Sequence, residues 1–398
     1  MTYSQTHPWI KFDTSSVKMN DPRLCLQLGE IASKCEHLAG APLKPTIADQ
    51  LHKVFLAKGA LATTAIEGNT LSEEQAIQQV EGTLNLPPSQ QYLQQEIQNI
   101  IDVCNEEVAA QTSLYGEKMS LCTSLIKNYN RRVLEKLTCE DGVVPGEFRS
   151  HSVTVGNVYR GAPAQDCEYL VERMCEWLNK EFIPTEDDFR VPYALVKAVL
   201  AHVYLAWIHP FGDGNGRTAR LVEFHILFTS GVPLPAAHLL SDHYNKTRSQ
   251  YYRELDKASK SGGDLMPFIK YATQGFLDGL REQLKLVRSQ HMIVAWENYV
   301  HEMFLPNKNS PTQKRRRDLV LELPTELIHL SELESKYPRI ALMYAKEGER
   351  TLQRDLNAIQ TMGLVDRYYG SVRAKREIIN AFLPRQVRPK RKPRERKA

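Results

Sequence analysis

Apolar side chains recur every three or four positions through most of the chain, as in Leu51-His-Lys-Val-Phe-Leu-Ala57 and Tyr92-Leu-Gln-Gln-Glu-Ile-Gln-Asn-Ile-Ile101. That period marks one face of an α-helix, so Asp21 to Asn130 is predicted to be mostly helical, punctuated by Pro42, Pro45, Pro87 and Pro88. A further helix is expected over Leu121 to Leu137, ended by breakers from Gly142 to Pro145. The period then changes. Val153, Val155 and Val158 sit among Ser152, Thr154, Gly156 and Asn157, which predicts two short strands around a Gly156-Asn157 turn. Helical spacing resumes from Asp166 to Glu181. The next helix is expected to start near Pro192, capped by Asp187 or Asp188, and to stop at His209-Pro210. Another begins within Asn215 to Ala219 and reaches Gly231, and two more cover about Tyr244 to Ser259 and Asp264 to Gln290.

Leu305-Pro-Asn-Lys-Asn-Ser-Pro-Thr312 is short and rich in breakers, and the main domain boundary is expected there. Beyond it the pattern predicts helices near Arg315 to Leu323, Leu330 to Tyr337 and Glu349 to Met362. A strand, turn and strand follow, through Leu364 to Tyr369, Gly370-Ser371 and Ala374 to Leu383. Three helices followed by a hairpin suggest a winged helix, with Thr351-Leu-Gln-Arg-Asp-Leu356 as the candidate recognition helix.

Composition narrows the class. With 398 residues, 42% apolar and 25% charged, the chain is an ordinary globular protein of two or three domains rather than a disordered or fibrous one. Its net charge of +4 is local: between Arg385 and Lys397 eight basic residues face only Glu395, so this tail carries +7 and the rest −3. Attraction to polyanions therefore belongs to the tail. The seven cysteines form no CxxC pair and read as reduced, structural thiols of a cytoplasmic protein. Met1 to Phe12 lacks the pattern of a signal peptide, and the most apolar stretch, Ala194 to Ile208, is interrupted by Lys197 and His202. Neither export nor a membrane partner is expected.

The chemistry lies in Ile208-His-Pro-Phe-Gly-Asp-Gly-Asn-Gly-Arg-Thr-Ala-Arg220. Gly212, Gly214 and Gly216 allow positive φ and close approach of a ligand, and a helix follows at once. Loop amides and a helix N-terminus together make a concave anion site. Arg217 and Arg220, three apart, add fixed positive charge on one side of the first turn, an arrangement suited to phosphates. Asp213 in such a cradle would repel phosphate unless a divalent ion lay between them. Mg²⁺ is the natural inference, with Mn²⁺ left open. His209 can be neutral near pH 7 and take a proton from an attacking hydroxyl. The segment is neither GxxxxGK[ST] nor a dinucleotide fingerprint, because no Lys follows the glycines and a helix precedes them.

His209 to Arg220 matches every defined position of HxFx(D/E)GNGRxxR, the signature of the Fic (Fido) family, and the chain resembles that family. Leu43 onward, Thr63 to Asn69, Gly146-Glu-Phe-Arg149 and Tyr251-Tyr252 extend the resemblance to roughly residues 5 to 290. The resemblance implies transfer of AMP from ATP to a Ser, Thr or Tyr hydroxyl of a protein, the enzyme itself included, with release of pyrophosphate. It makes His209 the general base and Asp213 the Mg²⁺ ligand. It places Gly214, Asn215 and Gly216 in the anion hole, Arg217 at the β-phosphate and Arg220 at the γ-phosphate, with Thr218 and Ala219 in the same nucleotide-binding stretch. Phe211 is expected to anchor the loop. The two glycines, Gly214 and Gly216, favour ATP over other donors.

Thr63-Thr-Ala-Ile-Glu67-Gly68-Asn69 resembles the family's inhibitory pattern [S/T]xxxE[G/N]. There the Glu reaches the second Arg of the loop, here Arg220, and blocks the γ-phosphate in cis. The same Glu67 can also serve removal of AMP. Read without the family, Glu67 is a surface residue at a helix stop. Val153 and Val155 correspond to the flap that holds a target segment through its main chain, or else to an edge hairpin without a role. Tyr252 matches an adenosine-side position, although aromatics on a helix usually face the core. His202 is expected to be a satisfied core histidine.

The expected fold is therefore mainly α: a Fic-type helical core with a short β-hairpin flap, plus a C-terminal winged-helix (α+β) domain. The expected divisions are an N-terminal helical region with the inhibitory motif (1–117), the catalytic core (118–290), a helix and linker (291–311), the winged helix (312–384) and the basic tail (385–398). The partners are ATP and a hydroxyl-bearing protein, with a homodimer left open. The rival reading is a DNA-binding regulator whose Fic domain senses nucleotide. In it Lys314 to Arg317, Arg350, Arg354 and the tail, within 312–398, contact phosphates, against which stand Glu347, Glu349 and Asp355. Docking or assembly is the favoured role of that module.

Overall fold

The computed structural model describes residues 2–15, 17–112, 120–155, 159–307 and 310–380. The chain divides into two compact units, Met1–Val287 and Arg288–Ala398.

The first unit is helical. α1 (Tyr3–Thr6), α2 (Pro22–Ala39), α3 (Pro45–Ala65), α4 (Glu73–Val80), α5 (Gln91–Thr112) and α6 (Thr123–Val133) precede a hairpin of β1 (Thr154–Val155) and β2 (Tyr159–Arg160). Then come α7 (Cys167–Glu181), α8 (Arg190–Ile208), α9 (Asn215–Thr229), α10 (Leu234–Ala237), α11 (Leu239–Lys246), α12 (Arg248–Lys260) and α13 (Met266–Phe304). At the centre lies α8, with fourteen of its nineteen residues buried, packed along α9. A helix apolar on all sides has to be surrounded, and this one is: α2, α7 and α9 lie against it. By length and composition it would cross a membrane, but its apolar surface is the core of this unit.

Local chemistry sets the helix starts. Asp21 accepts a hydrogen bond from the Leu24 amide ahead of Pro22, and Ser72 with Gln75 closes a capping box on α4. Neither Asp187 nor Asp188 caps α8, which starts at Arg190 after a 3₁₀ turn, so that Pro192 falls within the first turn, where its missing N–H costs nothing. The helix expected from Tyr244 to Ser259 is broken at Thr247, whose amide and hydroxyl both donate to the His243 carbonyl. The β-hairpin pairs Thr154 with Arg160 and Val155 with Tyr159, so its strands flank the expected turn more widely than the valine pattern suggests. The Gly156-Asn157 turn and Val158 lie outside the described residues.

The division between the units falls at Val287, within α13, rather than at the Pro-rich linker. The reason is packing: Trp296, Val300 and Phe304 on the last turns of α13 belong to the second unit's core. That unit continues with α14 (Pro311–Glu322), β3 (Ile328–His329), α15 (Leu330–Lys336), α16 (Pro338–Tyr344), α17 (Glu349–Thr361), β4 (Val365–Tyr368) and β5 (Ser371–Ala374). The three expected helices are present, with α16 and β3 in addition, but the hairpin is tighter than expected: its second strand is Ser371–Ala374 rather than Ala374 to Leu383, and Arg376–Ile379 forms a 3₁₀ turn, with 381–383 outside the described residues. β3 pairs with β5, which pairs with β4, in a three-stranded antiparallel sheet. The basic tail lies outside the described residues.

Candidate active site

The end of α8 is held open. His209 adopts a left-handed conformation (φ 50°, ψ 59°), unusual for a residue other than glycine and costing about 1–2 kcal/mol. Its amide donates to the Leu205 carbonyl (2.8 Å), and its carbonyl accepts from Arg149 Nε (2.7 Å). Arg149 also donates to the carbonyls of His151 (2.6 Å), Ile208 (3.3 Å) and Ala162. One buried guanidinium thus satisfies the exposed carbonyls of a helix end and ties them to the chain leaving the hairpin. Sequence reading found Arg149 only as part of a family-like segment. Phe211 anchors the loop as expected: it is buried, bridges to Phe148 through the backbone, and the two rings lie 5.2 Å apart.

The loop then closes on itself. Asn215 Oδ1 accepts from the Phe211 amide (2.9 Å) and Asn215 Nδ2 donates to the Phe211 carbonyl (2.8 Å). Its side chain is therefore spent within the loop, and its backbone is what is left for an anion. Asn130 supports the turn from α6, donating to the Asp213 carbonyl (2.9 Å) and accepting from the Gly146 amide (2.9 Å). Gly214, at φ 74°, begins α9, and a Cβ there would press on Asn130, Val133 and Leu134. The first helical bond of α9 runs from the Thr218 amide to the Gly214 carbonyl (2.9 Å). The amides of Asn215, Gly216 and Arg217 precede it and are free of helical duty, as an anion cradle requires.

A carboxylate reaches this cradle from the turn after α3. Glu67 Oε1 accepts from Arg220 Nη2 at 2.5 Å, and the same nitrogen donates to the Thr63 carbonyl (2.9 Å). Arg220 is fully buried, and its Nε and Nη1 have no hydrogen-bond partner among the described residues. A Cβ at Gly216 would overlap Glu67 Oε1, so the carboxylate lies directly against the cradle. Burial alone would raise the Glu67 carboxyl, but the Arg220 guanidinium, with Arg217 and His209 adding to it, holds it below the ordinary carboxylate value. Glu67 is therefore more than a solvated residue at a helix stop: it stays exposed, but its carboxylate is bound to Arg220 and lines the cavity.

Arg217 has its own carboxylate. Its Nη1 donates to Glu96 Oε1 (2.9 Å), and its Nη2 lies 3.3 and 3.4 Å from the oxygens of Asp213. Asp213 is exposed at the loop's tip, and its Oδ1 accepts from the Gly214 amide (2.5 Å). Burial pushes the His209 imidazole down to about 4, with Arg149 acting in the same direction and Glu67 and Asp213 against it. The ring is thus neutral at pH 7.

A cavity of about 520 Å³ opens over these groups, lined by Glu67, His209, Asn215, Gly216 and Ala219 on the loop side. Tyr159, Trp207, Tyr251 and Tyr252 form its other walls. Tyr252 is 43% exposed and donates to the Ile66 carbonyl (3.4 Å), whereas its neighbour Tyr251 is the core residue. His202 is fully buried, as expected, hydrogen-bonded through Nε2 to the Tyr251 hydroxyl (2.8 Å) and 3.2 Å from Glu223 through Nδ1. Just before β1 the Val153 carbonyl accepts from the Gly161 amide (3.2 Å), and the Ala162 amide donates to the Ile208 carbonyl (3.2 Å), so the hairpin is fastened to the segment bearing His209. Glu96 and Asn130 were not singled out by sequence reading, since neither sits in a motif.

Residues 120–227 match the model of the Fic/DOC family. The chain is 33% identical over 219 residues to the protein adenylyltransferase fic-1 of Caenorhabditis briggsae, a stretch covering 53% of this chain and 38% of that one. It is 34% identical over 158 residues to the protein adenylyltransferase Fic of Drosophila melanogaster, covering 39% and 28%. The match thus spans well under half the length of these relatives. A Fic family protein from Desulfovibrio desulfuricans superposes with a TM-score of 0.53 at 20% identity, over 88% of this chain and 94% of that one. Fic-1 of C. elegans gives 0.54 at 22% identity, over 68% and 74%. The fold is shared with both.

Proposed function

Residues 120–227 of this chain are a Fic/DOC domain, and on that premise we propose that the protein is an adenylyltransferase that moves AMP from ATP to a Ser, Thr or Tyr hydroxyl of a protein. The observation that carries this reading is a neutral His209 lining a cavity together with Asn215, Gly216 and Ala219 of the first turns of α9, the helix that also carries Arg217 and Arg220. His209 takes the hydroxyl proton as that oxygen attacks the α-phosphorus, and the bond from the α-phosphorus to the bridging oxygen breaks, releasing pyrophosphate. Arg217 holds the β-phosphate and Arg220 the γ-phosphate, while the amides of Asn215 to Arg217 surround the α-phosphate side. Positioning and charge neutralisation of this kind are what such transfers ask of a protein. Tyr252 walls the adenosine side, and the flap at Val153 and Val155 pairs with an extended target segment.

A divalent ion, Mg²⁺ or Mn²⁺, supplies charge neutralisation between the phosphates when bound. Asp213 is the residue to hold it: a single exposed carboxylate suits an ion that brings water and phosphate as its other ligands. Among the described residues no group of three or more His, Cys, Asp or Glu side chains is arranged to hold a metal unaided, in keeping with an ion that arrives with the nucleotide.

In this reading Glu67 is the brake. It occupies the guanidinium that the γ-phosphate needs and does so within one chain, and in the same reading it also serves water in the removal of AMP. We read the second unit, with its helices and three-stranded sheet, as a winged-helix module, for which docking or assembly suits better than DNA contact. Arg315 and Arg316 both donate to the buried Asp355 (2.9 and 2.7 Å), and Arg317 donates to Asp318 (2.7 Å), which takes three of the expected phosphate contacts out of play. Seven unpaired thiols fit a reducing compartment, the cytoplasm.

The test is transfer of label from α-phosphate-labelled ATP in the presence of Mg²⁺ by the wild type, Glu67→Gly, and Glu67→Gly combined with His209→Ala, alone and in cell lysate. Labelling that rises in Glu67→Gly and vanishes in the double variant supports an inhibited adenylyltransferase. Absence of label from all three, with ATP still bound, would leave a nucleotide sensor and reject transfer.

A further inference from the structure

No motif draws Glu96 into the site, yet both of its carboxylate oxygens are committed there. Oε1 accepts from Arg217 Nη1 (2.9 Å) and Oε2 from Asn69 Nδ2 (2.9 Å). Asn69 is itself pinned: the same amide nitrogen donates to the Leu93 carbonyl (2.9 Å), and Oδ1 accepts from the Leu71 amide (3.1 Å). Asn69 stands two residues after Glu67, and its backbone amide returns to the Thr64 carbonyl (3.3 Å), as does that of Glu67 (3.0 Å). One turn of chain therefore touches both arginines of the loop, Arg220 directly and Arg217 through Glu96.

The two carboxylates stand in different places. Glu67 lines the cavity and lies against Gly216, in space a ligand would use. Glu96, like Arg217 itself, is not among the cavity's lining residues; it holds Arg217 by Nη1 alone, leaving Nη2 on the side of Asp213. A carboxylate in ligand space competes with phosphate, whereas one that grips a single nitrogen of the guanidinium leaves the other free and fixes its direction. We infer that Glu96 is a positioning residue that holds Arg217 directed at the β-phosphate, and that Asn69 fastens this anchor to the inhibitory segment. The inference rests on the site being an ATP site. An arginine already held in place has less rotamer freedom to lose when a phosphate binds. Without Glu96, the nearest carboxylate to Arg217 is Asp213, one helical turn back, and pairing there would tie up two phosphate-side groups at once.

The experiment is calorimetric titration of the full-length Glu67→Gly protein with AMP, ADP and ATP, repeated after adding Glu96→Ala, Glu96→Gln or Asn69→Ala. Glu96→Ala is expected to weaken ADP and ATP about tenfold, the scale of one charge-assisted hydrogen bond, while AMP stays within about twofold. Glu96→Gln keeps an acceptor for Arg217 and recovers most of the loss. Asn69→Ala shows a smaller loss with the same dependence on phosphate number. Equal weakening of AMP and ADP would make Glu96 merely structural, and unchanged or tighter ADP binding would make it idle or a competitor; each result overturns the anchor. Failure of the Glu67→Gly protein to bind any of the three nucleotides would overturn the ATP-site reading, and the anchor with it.

Discussion

His209 is the group whose chemistry the fold alters most usefully. A solvated imidazole is half protonated near pH 6.5, whereas this one is pushed down to about 4 by burial, with Arg149 assisting. A general base must be neutral, so transfer by the Glu67→Gly protein should show no histidine limb between about pH 6 and 8. Removing Glu67 takes away a carboxylate that favours the charged ring, which moves the limb further down. A limb near pH 6.5 in the rate profile would contradict the buried setting. The same shift acts on stability. His238 is also held at about 4 by burial, so below pH 6.5 the unfolded chain takes up protons that the folded chain refuses. Stability is then fully present above pH 6.5 and falls as the pH drops toward about 4, and denaturant midpoints at pH 7 and pH 5 would register it, with a shallower fall in His209→Ala. Gly216 makes a separate point. A Cβ there would overlap Glu67 Oε1, so Gly216→Ala should destabilise the wild type by about 1–3 kcal/mol and the Glu67→Gly variant by much less. Equal costs in the two backgrounds would mean that the clash is absorbed elsewhere.

At the scale of elements, the site is a junction held by polar side chains that reach it from a distance. Arg149 gathers the carbonyls of His151, Ala162, Ile208 and His209, joining the hairpin's exit to the end of α8. Lysine has one nitrogen in place of a planar fork and cannot span that set. Arg149→Lys should therefore lower stability by about 2–4 kcal/mol and slow transfer in the Glu67→Gly background more than it weakens ATP, seen by thermal unfolding and steady-state kinetics. An unchanged melting temperature would sink this. The loop itself was legible because its chemistry is contiguous: twelve residues carry the base, the carboxylate, the glycines and both arginines. The pairing of Glu67 with Arg220, 153 residues apart in sequence, was legible only by resemblance. Arg149, Asn130 and Glu96 act through side-chain hydrogen bonds to distant partners, from positions whose local pattern is that of any loop or amphipathic helix, and no periodicity marks them. Asn215 was assigned to the anion hole by its place in the motif, but the second task of the residue was not legible: its side chain closes the loop on Phe211 and leaves the backbone amide for an anion.

At the scale of the molecule, the chain holds two apolar clusters, one built around α8 and one around Trp296, Leu319, Leu356 and Val372. Their border was misplaced by reading the breakers at Leu305 to Thr312, because composition marks where a chain bends and not which core a helix end joins. Separate cores predict separate unfolding steps. In the second unit one charge is critical: Asp355 is fully buried on α17, accepting from Arg315, Arg316 and the Tyr344 hydroxyl (3.1 Å). Those arginines hold the Asp355 carboxyl below its ordinary value against the opposing effect of burial. Asp355→Ala leaves Arg315 and Arg316 without that partner, which typically costs about 3–5 kcal/mol, while Asp355→Asn keeps an acceptor and costs less. Calorimetry of the full-length protein should then show two transitions, with Asp355→Ala lowering only one, and ATP should raise only the other, because a ligand stabilises the unit that binds it. A single transition lowered as a whole by Asp355→Ala would show that the two cores unfold together, and would recast the second unit as part of one cooperative fold rather than as a separately stable domain.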